Sequence, residues 1–318
     1  MTPELPWFEP PETVLSGSIP IRLDLGLENP PIVNADLSSY DAIVVALSGG
    51  KDSLAALIAI LEALHGLSNR PQVFAVHADL GDVEWPGVSR VVTAQAKHFG
   101  VETMIVRRHG RAVKRSSSTY RAGERYGDIV HHMKRNRHMF RQDTRACTSE
   151  HKRGPIGTAI TAIANQLRVG KEQVRILNVM GIRAAEGRRR SKLKSFYRDN
   201  RFTTGRKLVD VLFPIFDWGQ NAVWRAIWRT GVPWPWAYDA GVPRLSCPFC
   251  VFSTPAAWRV AAYCLPRLAN RYFELEITLE ETLGRKHAVG DIVCEIDGLD
   301  PIEMSRQFGN ERISAWED

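Results

Sequence analysis

The spacing of apolar residues changes along the chain, and each change marks an element. Ala42–Leu47 is apolar at every position, the pattern of a strand covered on both faces. Ser53–His65 then places Leu54, Leu57, Ile58, Leu61 and Leu64 on one helical face. Val73–His77 predicts a second strand, Ser89–Phe99 a second helix and Glu102–Val106 a third strand. Lys152–Gln166 reads as a helix and Ile176–Met180 as a fourth strand. Farther on, a helix starting near Gly219 carries Trp224 and Trp228 four residues apart, as for packing a C-terminal unit onto the sheet. Strands separated by helices imply an α/β fold, a doubly wound, mostly parallel sheet with helices on both faces. Such sheets bind ligands at the carboxyl ends of their strands. The proline-rich residues 1–40 read as an N-terminal extension, 41–215 as the sheet domain and 216–318 as a small helical C-terminal subdomain.

With 318 residues and 44% hydrophobic content the chain can bury a sizeable core. No apolar run approaches the ~20 residues of a membrane-spanning helix, and the start MTPELPWFEPPE is acidic and proline-rich, so the expectation is a cytoplasmic protein without a membrane partner. The net charge of +7 is unevenly spread. Arg107–Arg145 holds twelve Lys and Arg against three acids, Arg183–Lys207 ten against two, and the remainder of the chain is acidic. That segregation suits an anionic partner, and we read it as nucleic acid. Tyr120, Tyr126, Phe140, Phe196, Tyr197 and Phe202 are interleaved with the charge as surfaces on which bases would stack. A lid over a nucleotide, or a solvated face, is the competing use.

The stretch LSGGKDSL, residues 47–54, sits where the first strand passes into the first helix. Helix N-termini present unpaired N–H groups and favour anions. Gly49 and Gly50 permit a tight turn, Ser48 and Ser53 add hydroxyls, Lys51 adds charge, and Asp52 is a candidate ligand for Mg2+. The stretch reads as a phosphate cradle of a form other than GxxxxGK followed by Ser or Thr.

SGGxDS after a first strand resembles the PP-loop of the ATP pyrophosphatase superfamily, whose members cleave ATP between the α and β phosphates. Asp79 and Gly81 in HADLG are similar to the acid and glycine that close the nucleotide pocket there. CTSEHKRGPI (Cys147–Ile156), GIRAAEGRR (Gly181–Arg189) and the block from FPIFDW to AYDAGVPRLSCPFC (Phe213–Cys250) narrow the resemblance to the phosphoadenosine phosphosulfate (PAPS) reductase family. The resemblance implies an adenine nucleotide alpha-hydrolase-like fold. It further implies a nucleotide site of Ser48–Ser53, Asp79, Gly181, Arg183 and Arg188, with Lys51, Asp52, Lys152 and Arg183 carrying catalysis.

Cys247 and Cys250 form a CxxC pair able to grip one metal centre, and the resemblance makes Cys147 its partner. Cys264 would complete a four-thiolate set, although its spacing in AAYCLPRLA equally suits a core residue. The expected centre is a 4Fe–4S iron–sulfur cluster, with zinc as the alternative. His77, His131, His132 and His138 show no metal-binding spacing. Reductases of the family carry a nucleophilic cysteine in a Glu-Cys-Gly-x-His context; here the last cysteine is Cys294 in VCEIDG. Together with Asp52, this favours an ATP-dependent sulfurtransferase, first of all one of DNA phosphorothioation, supplied by a cysteine desulfurase by analogy. The alternatives are a sulfonucleotide reductase and a non-catalytic module binding nucleotide and nucleic acid.

Overall fold

The computed structural model describes residues 35–108, 129–143, 145–283 and 288–296. The N-terminal extension up to residue 34, Tyr120 and Tyr126, most of the first basic stretch and the C-terminal tail lie outside the described residues.

Six strands form one sheet in the order β3-β2-β1-β4-β6-β5. They are β1 (Ala42–Ala46), β2 (Gln72–Ala78), β3 (Glu102–Val106), β4 (Val174–Val179), β5 (Phe196–Arg198) and β6 (Lys207–Leu212). All neighbours are parallel except β5, which pairs antiparallel with β6. The expected α/β fold is thus present, with β5 and β6 added at one edge. The sheet's helices are α1 (Lys51–Ala63), α2 (Val88–His98), α3 (Ile129–Asn136) and α4 (Gly154–Leu167). Those beyond it are α5 (Gln220–Thr230), α6 (Pro255–Cys264), α7 (Pro266–Leu279) and α8 (Val289–Ile296).

The apolar run of β1 is used on both sides. Ile43 and Val45 join the larger core with α1, α2 and α5, whereas Ala42 and Val44 join α4 on the opposite face. β1 also divides the winding, since its partner on one side is β2 and on the other β4. The crevice between the carboxyl ends of β1 and β4 is therefore the switch point at which this architecture binds ligands.

Two sequence expectations shift. The helix expected over Lys152–Gln166 is α4, preceded by a π-helical turn, Cys147–Arg153. Trp224 is buried, but Trp228 is 50% exposed and stacks on it instead of reaching the core. Beyond α5, α6–α8 contribute Trp258, Ala261, Tyr272 and Ile292 to the same large core that holds α1. Glu276 on α7 secures the start of α8, accepting from Val289 N at 3.0 Å and Gly290 N at 3.0 Å.

Gly157 lets Phe202 lie directly on α4, since a Cβ there would stand 2.1 Å from the ring. Alanine is intrinsically the better helix former by roughly 1 kcal/mol. Gly157→Ala is nevertheless expected to destabilise the fold by about 1–3 kcal/mol through overpacking, with Phe202→Leu restoring part of the loss; urea midpoints of the two single variants and the double variant check this.

Candidate functional site

β1 ends at Ala46, and residues 47–50 turn into α1. Gly49 adopts φ +80°, and a Cβ there would lie 3.2 Å from Val88 Cγ1. Ser53 Oγ donates to Gly50 O at 2.9 Å, so its lone pairs accept from Ser48 N and from Ser48 Oγ, both at 3.0 Å. The two hydroxyls expected to meet phosphate thus first staple the loop to its helix. Gly50 is the N-cap without a side-chain cap of its own.

The loop after β4 closes on this turn from the other side of the crevice. A Cβ on Gly181 would stand 2.2 Å from Asp52 O and 2.5 Å from Ser53 N, so backbone meets backbone there. Two residues on, Arg183 Nε donates to Asp52 Oδ1 at 2.6 Å and Nη1 to Trp218 O at 3.2 Å, with Arg183 buried. Asp52 occupies the first turn of α1 with a largely buried carboxylate. Its Oδ2 is 3.7 Å from Lys51 Nζ. Lys51 is itself buried and donates to Pro243 O at 3.0 Å; burial pushes its pKa down, against the opposing pull of Asp52. Glu186 accepts from Arg183 N at 3.1 Å and pairs with Arg190 and Arg244. Asp79 accepts from Gly81 N at 2.7 Å and from Arg107 Nε at 2.6 Å, and Arg188 is exposed.

Tyr238, in a block recognised from the sequence but not assigned a role there, completes the cradle. Its phenol oxygen accepts from Lys51 N at 2.8 Å and from Leu245 N at 3.4 Å, and burial pushes its pKa well up. The signal available in the sequence was a tyrosine in an apolar segment, whose hydroxyl needs a partner once buried. Leu245 in turn packs on the loop, with its Cβ 3.3 Å from where a Gly50 Cβ would be.

Cys247 and Cys250 follow Leu245. Their turn is held by Cys250 N donating to Cys247 O at 3.1 Å and by Trp258 Nε1 donating to Cys250 O at 3.0 Å. Cys147 opens the π-helical turn that also carries Lys152. The segment ahead of it is tied to the CxxC turn: Gln142 Nε2 donates to Val251 O at 2.5 Å, and the Arg145 guanidinium lies 4.8 Å from the centre of the Phe252 ring. Burial raises the Cys147 thiol and pushes Cys247 up to about 12, with Lys152 opposing both. Lys152 itself is pushed up, chiefly by Cys247, then by Cys250, Cys147 and Glu84. Three of the four predicted cysteines therefore share one cation. Cys264, on α6, is pushed up to about 11 by burial alone and does not join them. Among the described residues no three His, Cys, Asp or Glu side chains stand ready to hold a metal ion.

The other predicted groups are placed elsewhere. Phe140 is buried in the core, Phe202 lies on Gly157, and Tyr197 packs edge-on against Phe213, so of the described aromatics read as base-stacking surfaces Phe196 is the most exposed. His132 Nδ1 and His151 Nε2 are 2.8 Å apart beneath Arg108. His138 meets Glu281 at 2.9 Å. No helix of the described residues is long and apolar enough to cross a membrane.

Residues 42–252 match the phosphoadenosine phosphosulfate reductase domain, and the chain belongs to that family. An uncharacterised protein of Methanocaldococcus jannaschii is 27% identical over 208 residues, which are 65% of this chain and 36% of that protein. The chain thus spans about a third of that relative's length. Similar solved structures include the PAPS reductase of Candida auris, a phosphate complex (TM-score 0.40, 14% identity, 67% of this chain and 84% of that one). The tRNA thiolase NcsA of Methanococcus maripaludis, with its 4Fe–4S cluster, gives a TM-score of 0.35 at 12% identity over 84% of this chain and 75% of that one. The FMN adenylyltransferase of Candida glabrata, with FMN and an ATP analogue, gives 0.40 at 12% identity over 70% of this chain and 59% of that one.

Tyr238→Phe removes the acceptor shared by the Lys51 and Leu245 amides. The expected loss is about 1–3 kcal/mol of stability, measured by denaturation, with faster hydrogen exchange at the Lys51 amide as the local signature.

Proposed function

We propose that this member of the PAPS reductase family is an ATP-dependent sulfurtransferase that adenylates its substrate, releasing pyrophosphate, and then inserts sulfur. The observation that carries this reading is Leu245: it packs on Gly49 and Gly50 of the phosphate loop, and Cys247 follows two residues later on the same wall. A phosphate cradle and a thiol pocket thus share one short segment, as a reaction joining nucleotide cleavage to sulfur delivery requires.

In this reading the pyrophosphate end of ATP lies on Ser48–Ser53 at the positive end of α1. Lys51 and Arg183, held against Asp52, are the cations that meet the charge developing on the departing pyrophosphate. Asp52 is the residue that would hold Mg2+. An oxygen of the substrate attacks the α phosphorus, and the adenylate so formed is displaced by sulfur arriving from the thiol side, beside Lys152. The donor types there suit a 4Fe–4S cluster or zinc, and Cys147, Cys247 and Cys250 are the residues that would hold it. When bound, such a centre supplies a soft site for sulfur. DNA is the substrate class we favour, reached by the exposed cations Arg188, Arg189, Lys192 and Lys194, with a cysteine desulfurase as sulfur source in the cytoplasm.

The protein with magnesium and ATP is expected to form AMP and pyrophosphate and little ADP. Asp52→Asn, which keeps the shape but not the charge facing Arg183, is expected to slow pyrophosphate release about 100-fold; an ADP product places the chain in another mechanistic class. Thioredoxin with a sulfonucleotide is expected to give no sulfite, and Cys294→Ser to be tolerated.

Anaerobically purified protein is expected to absorb broadly near ~400 nm. Serine at Cys147, Cys247 or Cys250 removes that absorption while pyrophosphate release persists, and Cys264→Ser retains it. Colourless protein carrying one equivalent of zinc selects the other occupant.

A further inference from the structure

The buried stripe of α2 consists of Val88, Val92, Gln95 and Ala96, and Gln95 is its polar member. Val88 and Val92 lie under the phosphate loop, 3.2 and 3.3 Å from where a Cβ on Gly49 would stand. Gln95, three residues beyond Val92 on the same helical face, is fully buried. Its Nε2 donates to the carbonyl oxygen of Gly49 at 3.2 Å and to that of Pro233 at 3.0 Å. Both carbonyls can only accept, so this end of the amide is the NH2 group. Among the described residues its Oε1 is buried without a hydrogen-bond partner. A side chain kept here for packing alone would be apolar, because an unpaired amide oxygen out of water is unfavourable.

The bond to Gly49 fixes a peptide plane. The described residues contain no cis peptide bond, so the N–H of Gly50 points opposite to the carbonyl of Gly49. With that carbonyl held on α2, the N–H faces the open side of the loop, where Ser48 is exposed. It meets Ser48 Oγ at 3.4 Å, longer than an ordinary N–H···O bond, which leaves it a donor for an incoming anion. The flipped peptide would turn a carbonyl oxygen to the same place and repel phosphate. Glycine at φ +80° carries no side chain that would oppose such a flip. The second bond reaches another support of the loop: Pro233 precedes the 3-10 turn Trp236–Tyr238, whose Tyr238 accepts from Lys51 N.

We propose, resting on the functional reading above, that Gln95 is a positioning residue for the pyrophosphate end of the nucleotide. By holding the Gly49 carbonyl it keeps the Gly50 N–H turned to the phosphate, and by holding the Pro233 carbonyl it ties that peptide to the segment leading to Tyr238. Its effect is therefore selective. It acts on the part of the nucleotide that lies on Ser48–Ser53 and leaves the adenylate half, which lies outside those residues in this reading, undisturbed.

The experiment uses the full chain and measures affinity for inorganic pyrophosphate and for AMP by calorimetry, with the Gly50 amide followed by 15N NMR through a pyrophosphate titration. In wild type, pyrophosphate is expected to shift the Gly50 amide strongly, and the two side-chain amide protons of Gln95 are expected to exchange slowly with solvent. Gln95→Met keeps the length and removes both donors. It is expected to weaken pyrophosphate about tenfold, to lose most of the Gly50 shift and to keep AMP affinity near wild type. Gln95→Asn, an amide one methylene shorter, is expected to behave like Met. Equal losses for pyrophosphate and AMP, or unchanged pyrophosphate affinity in Gln95→Met, overturn the proposal. Where neither variant folds, wild type decides: a Gly50 amide that pyrophosphate leaves unmoved overturns the proposal, and a shifted one with slowly exchanging Gln95 protons supports it. Wild-type protein that binds pyrophosphate at Gly50 yet forms no AMP from ATP and magnesium counts against the functional reading, while the role of Gln95 stands.

Discussion

The first turn of α1 is held between the backbone at Gly181 and the side chains of Tyr238 and Leu245, and the site is built around that confinement. Gly181 approaches Asp52 and Ser53 so closely that not even a methyl group fits between the chains. On the other side Tyr238 and Leu245 press on Gly50 and Lys51. A helix start fixed this way cannot drift to follow a ligand, so its dipole and donors are aimed before anything binds. Because main chain has no rotamers to yield, this approach tolerates substitution less well than the contact of Gly157 with the Phe202 ring.

The same confinement explains where the charge goes. Lys51, Asp52 and Arg183 are buried or nearly so, and each has a partner within the fold. Removing one partner from such a buried set leaves an uncompensated charge, which costs more than the pair ever contributed. In the thiol pocket the balance runs the other way. Burial disfavours thiolate at Cys147 and Cys247, Lys152 favours it, and Glu84 favours the ammonium of Lys152. The loop side is thus compensated internally, while in the cysteine pocket the charge of Lys152 works against the burial that disfavours thiolate.

Much of the fold was legible because β1 is apolar throughout and almost wholly buried, as a doubly covered parallel strand requires, and β2 and β4 are mostly apolar, while the edge strand β3 shows only a mixed, partly exposed pattern. β5 was not legible: Phe196–Arg198 is three residues long and gains its strand form from pairing with β6, not from its own pattern. The π-helical turn at Cys147 was missed for a related reason, since no local period distinguishes it from the first turn of α4. Of the site, the loop and the cysteines could be read from residue type and spacing. Tyr238, Glu84 and the role of Gly181 could not, because each depends on a segment more than sixty residues away in sequence.

Sequence charge and available charge also differ, and this bears on how the surface is read. In the second basic stretch Arg183, Arg190, Arg198 and Arg201 face Asp52, Glu186, Asp210 and Asp199, so four of its ten cations meet acids within the fold. Asp210 is buried and accepts from Tyr40 as well as Arg198, and burial pushes Tyr40 up to about 12, so the phenol stays a donor there. Arg107 and Arg108, which open the first stretch, pair with Asp79 and Glu150. In the described part of the second stretch the exposed cations left over are Arg188, Arg189, Lys192 and Lys194 on the turn after Glu186, with Arg206 beyond them. These exposed cations follow, within the same loop, the Arg183 that closes the first turn of α1 at the switch point between β1 and β4.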